Sequence, residues 1–398
     1  MPGGRVAVVG GSVAGCAAAL AAHRSGATEV TVYERAAGRL ADRGVGLAVH
    51  DARYAELEAA GYLDAAMPYI RLSRRRWYVR EGSALLGRPI GTLPFPFRTY
   101  NWGPLWRELR ARVPASVTFR TGTPVESVTA RPDGAELRTA SGTERFDLVI
   151  GADGYRSTVR TAAFAGPYAD ARPRYAGYLA WRGAFPVDRL PDPGPWDVAE
   201  CAYVVFPGGH VIVYRIPDGR GGHRANWVLF TAPPPGHRAA PHTREATGPL
   251  RDHLARVVET RLPPYWADLI RLTAPDELFM QPMYDFSAPR YAIGALALTG
   301  DAATVARPHT GAGAVKALQD AVALEASAAA ATTWRQALAA YDTDRTAAGR
   351  TMADLGRRLG RALVEETPDW HTMDQSALEA FWRRADASGA FGGRGPRR

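Results

Sequence analysis

The stretch RVAVVGGSVAGCAAALAAHRSGATEVTVYERA, residues 5–36, decides the fold. Its short apolar run 5–9 and its alternating run 28–33 predict two strands, and the Ala-rich run 13–24 between them predicts a helix. A strand, a glycine turn, a helix and a second strand in so few residues predict a βαβ unit, which is typical of a Rossmann-like α/β domain.

The turn after the first strand has the composition of a pyrophosphate-binding loop. Backbone N–H groups and the helix N-terminus can receive a pyrophosphate there, and small residues let it approach. Ser12 stands where the usual fingerprint has its second glycine, but it is the smallest polar replacement. Glu34 ends the second strand, where a carboxylate can accept hydrogen bonds from an adenosine ribose; the alternative is a glycine turn with a solvated Glu34. We therefore expect a dinucleotide to contact Gly10, Gly11, Ser12, Val13, Ala14, Gly15, Glu34 and Arg35.

The rest of the chain shows two kinds of sequence pattern, one typical of strands and one typical of helices. Residues 117–149 have the pattern of a hairpin or meander, and 175–232 form aromatic-rich alternating runs separated by Pro and Gly, which predicts an antiparallel sheet. From 295 a strand pattern returns, followed by a long Ala-rich helical run and further helices. The last residues, GGRGPRR, are expected to fray.

These sequence patterns predict an α/β fold with a Rossmann-like cofactor-binding domain, an inserted antiparallel β-sheet substrate domain and C-terminal helices. The cofactor-binding domain is expected to be discontinuous. Its segments are 1–70, 95–170 and 275–360; the substrate domain takes 71–94 and 171–274, and a C-terminal helix and tail take 361–398.

Composition excludes several classes of protein. The net charge is +9, but Lys316 is the only lysine and the arginines are dispersed, so no nucleic-acid partner is expected. No apolar run approaches the roughly 20 residues of a membrane span, and the N-terminus lacks signal-peptide features, so a cytoplasmic location without membrane contact is expected. The nine histidines lack ligand spacing, which predicts no metal site. Cys16 is expected to be a small buried residue.

Two later motifs carry a family resemblance. They are DLVIGADGYRSTVR, residues 147–160, and ALTGDAATVARPHTGAGAVKALQDA, residues 297–321. With the glycine turn they resemble the single-component FAD-dependent aromatic hydroxylases of the para-hydroxybenzoate hydroxylase fold, and they look closest to the 2,6-dihydroxypyridine hydroxylase-like branch. The resemblance implies noncovalent FAD. It also implies that further residues contact FAD, namely Asp153, Gly300, Asp301, Pro308, Gly311, Ala312, Gly313 and Ala314.

The resemblance also implies the chemistry. NADH or NADPH would reduce the flavin, O2 would add to it as a C4a-hydroperoxide, and a small, electron-rich hydroxylated aromatic would take up one oxygen atom. The protein would supply position, a dry cavity and proton control. We expect a monomer or a homodimer.

Candidate substrate and proton-transfer residues lie on the aromatic-rich strands and in the turn after Arg307. We expect Trp181, Arg182 and Tyr284 to contact the substrate, because aromatic and ionisable groups alternate on strands there. The alternative for an aromatic residue on a sheet is simple core packing. The expected catalytic residues are His309, Pro308, His210 and Tyr214, with His309 as a proton acceptor or, alternatively, a structural loop residue.

Besides Ser12, two departures from the family pattern affect the expected FAD contacts. Thr304 stands where many relatives have histidine, and Trp102 replaces an arginine that often binds the diphosphate. Arg43 is then expected to supply positive charge to the phosphates. Arg160 is expected either to support the fold or to form a helix-surface salt bridge.

Other activities stay open from the sequence alone. A flavin-dependent epoxidase or a Baeyer–Villiger-type oxygenase in secondary metabolism would share these motifs. An NAD-dependent dehydrogenase would explain the glycine turn but leaves residues 300–309, GDAATVARPH, without a role.

Overall fold

The computed structural model describes residues 1–38, 46–164, 172–237 and 246–393. Within these ranges the chain forms two large sheets, one small sheet and nine α-helices. The strands are β1 (Arg5–Val9), β2 (Glu29–Glu34), β3 (Gly46–His50), β4 (Ile70–Val79), β5 (Arg88–Asn101), β6 (Thr118–Thr121), β7 (Ser127–Arg131), β8 (Gly134–Thr139), β9 (Gly142–Phe146), β10 (Leu148–Gly151), β11 (Arg174–Pro186), β12 (Glu200–Phe206), β13 (Gly209–Pro217), β14 (His223–Thr231), β15 (Leu278–Ser287), β16 (Ala292–Ile293), β17 (Leu296–Leu298) and β18 (Thr304–Val305). The helices are α1 (Val13–Arg24), α2 (Asp51–Ala59), α3 (Trp102–Arg112), α4 (Thr158–Ala163), α5 (Gly248–Arg261), α6 (Pro264–Arg271), α7 (Gly313–Ala329), α8 (Trp334–Gly360) and α9 (Gln375–Ala385).

The first sheet contains the predicted βαβ unit. Its strand order is β16-β17-β10-β1-β2-β6, and β1 pairs in parallel with both β2 and β10. Short apolar strands buried on both faces, joined through a helix, form this kind of sheet because parallel neighbours need a crossover connection. The ends of β1, β2, β10 and β17 therefore meet at one edge, where the glycine turn lies.

The second sheet is larger and mostly antiparallel. Its order is β18-β15-β11-β14-β13-β12-β4-β5-β3, with one parallel pair between β4 and β12. The predicted antiparallel sheet at 175–232 is confirmed by β11, β13 and β14. The predicted meander at 117–149 is confirmed by the small sheet β7-β8-β9.

The second sheet differs from the expected division of the chain in one respect. It takes β3, β15 and β18 from segments that were expected to belong to the cofactor-binding domain, and the expected boundary at residues 94 and 95 lies inside the continuous strand β5. Local alternation identifies a strand but does not determine which sheet that strand joins.

Two cores cover the opposite faces of the second sheet. One contains Tyr178 and Tyr203 together with residues of α8, α9 and the chain beyond them. The other contains Trp181 and Trp227 and is covered by α5 and α6. The two faces differ because consecutive side chains of a strand point to opposite sides.

The C-terminal segment is packed further than expected. Gly392 and Gly393 are buried, and a Cβ atom on Gly392 would lie 2.8 Å from Cζ of Phe97. The expectation that the chain frays from Gly392 is wrong at these two positions, because the glycines fit against β5 and α7; residues 394–398 lie outside the described ranges. No helix among the described residues is long and apolar enough to cross a membrane.

Candidate active site

The glycine turn between β1 and α1 is closed too tightly for side chains at two positions. Gly10 has φ +106°, and a Cβ atom there would lie 2.4 Å from the carbonyl oxygen of Ala152. A Cβ atom on Gly15 would lie 1.8 Å from the carbonyl oxygen of Gly10. Both contacts are with backbone, so the turn requires glycine there.

Ser12 occupies the N-cap position of α1. Its carbonyl oxygen accepts a hydrogen bond from the Cys16 N–H at 2.8 Å, while its hydroxyl bonds no residue in the described part of the chain. The departure from glycine is therefore accommodated, and the hydroxyl is available to a ligand. Cys16 itself is buried, and burial raises the pKa of its thiol to about 12, which confirms a packing role.

Glu34 holds the turn against β2. Its Oε2 accepts a hydrogen bond from the Gly11 N–H at 2.8 Å, and its Oε1 accepts one from the Ala36 N–H at 2.8 Å. Each oxygen keeps a lone pair for a further donor. Arg35, next in the chain, is exposed beside this carboxylate.

Trp106 is a contact that the sequence did not indicate. Its indole Nε1 donates a hydrogen bond to the Gly11 carbonyl oxygen at 2.8 Å. Its ring stacks on Trp102, with ring centroids 6.4 Å apart and an interplanar angle of 4°. The residue that replaces the family arginine thus supports a neighbour that fixes the glycine turn. The spacing of four residues within a predicted helix was the available signal.

Asp301 is the carboxylate best suited to bind hydroxyl groups of a ligand. It follows β17 in a short 3-10 turn, and its side chain hydrogen-bonds no residue in the described ranges. The side chain has solvent-accessible surface, yet the surrounding protein desolvates it enough to raise the pKa of the carboxyl group.

A buried ion network fixes the backbone before Asp301. Nζ of Lys316 lies 2.8 Å from Oδ2 of Asp320 and donates to the Gly300 carbonyl oxygen at 3.0 Å. The Gly300 N–H donates to Asp320 at 2.9 Å, and Arg345 binds the other oxygen of Asp320 at 2.8 Å. Lys316 and Arg345 lower the pKa of the Asp320 carboxyl group against the opposing effect of burial. The only lysine of the chain therefore has a structural position, because it holds the backbone that precedes Asp301.

Asp153 and Arg160 join the second motif to the third. Oδ2 of Asp153 accepts hydrogen bonds from the first N–H groups of α4, including Thr158 at 2.7 Å, while its buried Oδ1 bonds no described residue. Arg160 is buried and donates to the carbonyl oxygens of Ala302 and Tyr155 at 2.9 Å and 2.5 Å. These bonds support the fold, as one of the two interpretations of Arg160 expected, instead of forming a surface salt bridge.

The turn from Pro308 to Gly313 leads into α7. Gly311 adopts the left-handed conformation with φ +61° and ends the 3-10 turn at Pro308–Thr310. Gly313 is exposed, and a Cβ atom there would meet nothing within 4 Å. Ala312 is buried and Ala314 is partly buried beside it. The N-terminus of α7 thus faces open space, where its N–H groups favour negative charge.

Two of the expected catalytic residues, His309 and His210, lie against each other. Their ring centroids are 5.2 Å apart, and Phe230 packs 4.3 Å and 5.0 Å from the two rings. Both are buried, and each has one ring nitrogen, Nδ1 of His309 and Nε2 of His210, that bonds no residue in the described part of the chain. Burial lowers the pKa of His210 to about 3. Burial, and then the positive potential of His210, Arg307 and Arg182, lowers the pKa of His309 well below its usual value.

The hydrogen-bond network assigns different protons to the two rings. Nδ1 of His210 lies 3.2 Å from the Leu363 carbonyl oxygen, so Nδ1 donates and Nε2 is an acceptor. Nε2 of His309 lies 2.7 Å from the Tyr178 hydroxyl, and Arg307, which has only donors, interacts with the same hydroxyl. Tyr178 therefore donates to Nε2, and His309 carries its proton on Nδ1. The pair offers one acceptor and one donor.

The remaining sequence candidates separate into two groups. Tyr214 and Arg182 lie near each other on the sheet face that holds the histidines; burial raises the pKa of Tyr214 and Arg182 opposes that shift. Trp181 is placed away from them, fully buried in the core under α5 and α6, because adjacent residues of β11 face opposite sides. Tyr284 lies beside the second motif, with its ring centroid 6.0 Å from that of Tyr155. Arg43 lies outside the described residues.

These residues fit FAD. The glycine turn closes tightly because Cβ atoms at Gly10 and Gly15 would clash with backbone atoms. Asp301 has no hydrogen-bond partner among the described residues. Gly313 faces open space. Pyrophosphate, ribityl hydroxyls and a flavin ring are the groups that such a turn, carboxylate and helix N-terminus accommodate.

Comparisons with known proteins identify an FAD binding domain and monooxygenase relatives. A family model described as an FAD binding domain matches residues 237–355. The 3-amino-4-hydroxybenzoate 2-monooxygenase PtmB3 of Streptomyces platensis is 30% identical over 331 residues, 80% of this chain and 77% of that protein. The 2,6-dihydroxypyridine 3-monooxygenase of Paenarthrobacter nicotinovorans is 27% identical over 345 residues, 80% of this chain and 81% of that protein. The structure of 2,6-dihydroxypyridine-3-hydroxylase from Arthrobacter nicotinovorans matches with a TM-score of 0.78 at 24% identity, covering 92% of this chain and 94% of that one.

Proposed function

Because this chain belongs to the FAD-dependent aromatic hydroxylases, we propose that it consumes NADH or NADPH and O2 to hydroxylate an electron-rich, already hydroxylated aromatic or heteroaromatic compound. FAD supplies the redox chemistry that activates oxygen, in the way the family resemblance implies. The NAD-dependent dehydrogenase alternative is excluded by the monooxygenase relatives. A cytoplasmic monomer or homodimer remains our expectation from the sequence.

The cofactor would be held along the edge of the first sheet. The N–H groups of the glycine turn and the N-terminus of α1 would bind the pyrophosphate, and Glu34 would bind the adenosine ribose. Asp301 would accept hydrogen bonds from the ribityl hydroxyls, and the N-terminus of α7 would stabilise negative charge on the flavin. Asp153, through its unpartnered Oδ1, would assist in holding the two nucleotides.

The histidine pair is the observation that carries the proposal. A hydroxylated ring becomes a better nucleophile as its hydroxyl proton is drawn away, and a neutral imidazole can accept a hydrogen bond from that hydroxyl. Because burial lowers the pKa of His210 to about 3, its Nε2 would accept a hydrogen bond from the ring hydroxyl without holding the proton, and the N–H at Nδ1 of His309 would donate a hydrogen bond to the same oxygen. Tyr178 is a positioning residue because it fixes the tautomer of His309. Tyr214 and Arg182 would border the same ring.

The proposal is tested by a substrate screen. The FAD-loaded protein is mixed with NADH or NADPH and a panel of hydroxypyridines, aminophenols and hydroxybenzoates, and the products are analysed by mass spectrometry. We expect one ring compound to accelerate nicotinamide oxidation and to gain one hydroxyl group. An epoxide or a lactone as the product would support one of the other oxygenase activities instead, and the absence of any oxygenated product would refute all three.

A further inference from the structure

The end of α8 is built differently from the rest of that helix. Residues Arg361–Glu365 continue it as one turn of π-helix, and the Glu366 N–H donates to the Arg361 carbonyl oxygen at 2.7 Å. Turns of this kind are rare and are often found at functional sites. We call Arg361–Glu365 the π-turn. The last carbonyl groups of a helix have no following N–H groups to bond, so those of the π-turn can accept hydrogen bonds from side chains.

One carbonyl group of the π-turn holds His210. The Leu363 carbonyl oxygen lies 3.2 Å from Nδ1 of His210, and both residues are buried. Because the ring nitrogen that bonds a carbonyl oxygen must carry the proton, this contact leaves Nε2 of His210 as the acceptor. The backbone of the π-turn therefore sets the tautomer of one histidine of the pair.

The side chain of Glu365 reaches the other histidine through Arg307. Glu365 accepts a hydrogen bond from Nη1 of Arg307, while Asp285 accepts one from Nε of Arg307 at 2.9 Å. A guanidinium group bonded at two of its nitrogens is held in one orientation, which here is toward the Tyr178 hydroxyl. Cζ of Arg307 lies 5.5 Å from the Tyr178 ring centroid, and the Tyr178 hydroxyl lies 2.7 Å from Nε2 of His309.

Gly360, the last residue of α8, shows how closely these groups pack. A Cβ atom there would lie 2.4 Å from Nη1 of Arg307 and 2.7 Å from the Tyr178 hydroxyl. Gly356, one turn earlier on the same face, is also constrained, because a Cβ atom there would lie 2.9 Å from the Arg307 backbone nitrogen. The guanidinium group and the hydroxyl therefore lie against the same point of the helix, and glycine lets the helix end approach them.

We propose that Glu365 is a positioning residue for His309, and that the π-turn thereby fixes the protons of both histidines. Glu365 holds Arg307 beside the Tyr178 hydroxyl. Arg307 has only donors, so the hydroxyl directs its own proton to Nε2 of His309, and the His309 proton stays on Nδ1. The consequence for hydroxylation rests on the proposed function, whereas the tautomers of the two rings do not.

The test observes the His309 tautomer directly. Protein labelled with 15N-histidine and loaded with oxidised FAD is studied by long-range 1H–15N NMR, which distinguishes protonated from unprotonated ring nitrogens. Spectra of His309→Gln and His210→Gln assign the signals. Glu365→Met removes the carboxylate and keeps the length of the side chain. We expect the ratio of the Nδ1–H to the Nε2–H form of His309 to fall about 2- to 10-fold, the range for one hydrogen bond, while the His210 signals stay unchanged.

Three further variants calibrate the change. Tyr178→Phe removes the donor to Nε2 and should shift the His309 tautomer at least as far as Glu365→Met does. Glu366→Met is the matched control, because this exposed neighbour is paired with Arg361, at 3.7 Å, and should leave both histidines as in the wild type. Glu365→Gln keeps one oxygen acceptor and should retain the wild-type ratio.

Three results would overturn the assignment. An unchanged His309 tautomer in Glu365→Met would make the Glu365–Arg307 contact a simple ion pair. An equal shift in Glu366→Met would show that the charge of the segment, and not this contact, is responsible. No shift in Tyr178→Phe would show that these contacts do not set the tautomer. If Glu365→Met does not retain FAD, Glu365→Ala removes the same carboxylate and is judged by the same outcomes.

The yield of hydroxylated product per NAD(P)H separates this assignment from the proposed function. It is measured on the same variants with the ring compound that stimulates nicotinamide oxidation most strongly. We expect Glu365→Met to form less product per NAD(P)H than Glu366→Met does. A shifted tautomer with an unchanged yield would contradict the positioning role in catalysis. The absence of hydroxylated product from the wild-type protein would refute the proposed function, and the NMR result would still decide the tautomer.

Discussion

The Tyr178 hydroxyl lies 2.7 Å from Nε2 of His309, and both side chains are buried. This contact, with Arg307 on the same hydroxyl, keeps the proton of His309 on the nitrogen that has no described partner. The neighbouring His210 has the opposite arrangement. Two histidines of similar burial can therefore have different roles, one as a hydrogen-bond acceptor and the other as a donor.

We predict that His210→Ala and His309→Ala impair oxygen transfer more than flavin reduction. A positioned acid or base typically contributes about 10²–10⁴-fold, and its loss should affect the step that needs a deprotonated ring. Substrate-stimulated NAD(P)H oxidation should continue while much of the oxygen appears as hydrogen peroxide. Stopped-flow flavin reduction, combined with product and peroxide yields, separates the steps. The exposed His223→Ala is the control, and variants that form product as efficiently as the control would make the pair structural.

We predict that Asp301→Ala weakens FAD binding more than Glu34→Gln does. The alanine removes a carboxylate that no described residue satisfies, and hydrogen bonds to charged groups contribute about 1.5–3 kcal/mol. Glutamine in place of Glu34 keeps one oxygen acceptor for the Gly11 N–H. Titration of both apoproteins with FAD measures the ranking. Equal affinities would show that Asp301 does not bind the cofactor.

We predict that the protein loses stability as the pH falls below about 6.5, partly through His210. An unfolded histidine binds a proton near that pH, whereas burial lowers the pKa of folded His210 to about 3. The unfolded state therefore binds more protons between these values, and the free energy of unfolding falls with decreasing pH. Melting temperatures between pH 7.5 and 5 should fall less steeply for His210→Asn than for wild type. His223→Asn should retain the wild-type dependence of melting temperature on pH. If His210→Asn also retained it, His210 would already be protonated in the folded protein.

The parts of the site that sequence predicted are those set by neighbouring residues. The βαβ unit was predicted because the spacing of Gly10 and Gly15 and the apolar runs around them are local properties. The sequence also indicated Asp301 and His309, through a contiguous motif that forms two short 3-10 turns before α7.

The parts of the site that the sequence did not predict depend on contacts between segments that are distant in the chain. Alternation on β11 predicts that Trp181 and Arg182 face opposite sides, but only the packing of α5 and α6 determines which side is covered. The parallel pairing of β4 with β12 joins segments more than 120 residues apart. Trp106 binds the Gly11 carbonyl across 95 residues. Local patterns contain no information about such pairings.

Oxygen labelling tests the central claim most directly. The FAD-loaded protein is incubated with NAD(P)H, 18O2 and the ring compound that stimulates nicotinamide oxidation most strongly. The account predicts a product that carries one 18O atom in a new ring hydroxyl group, with the second atom of O2 released as water. Recovery of all consumed 18O2 as hydrogen peroxide, with the ring compound unchanged, would contradict it.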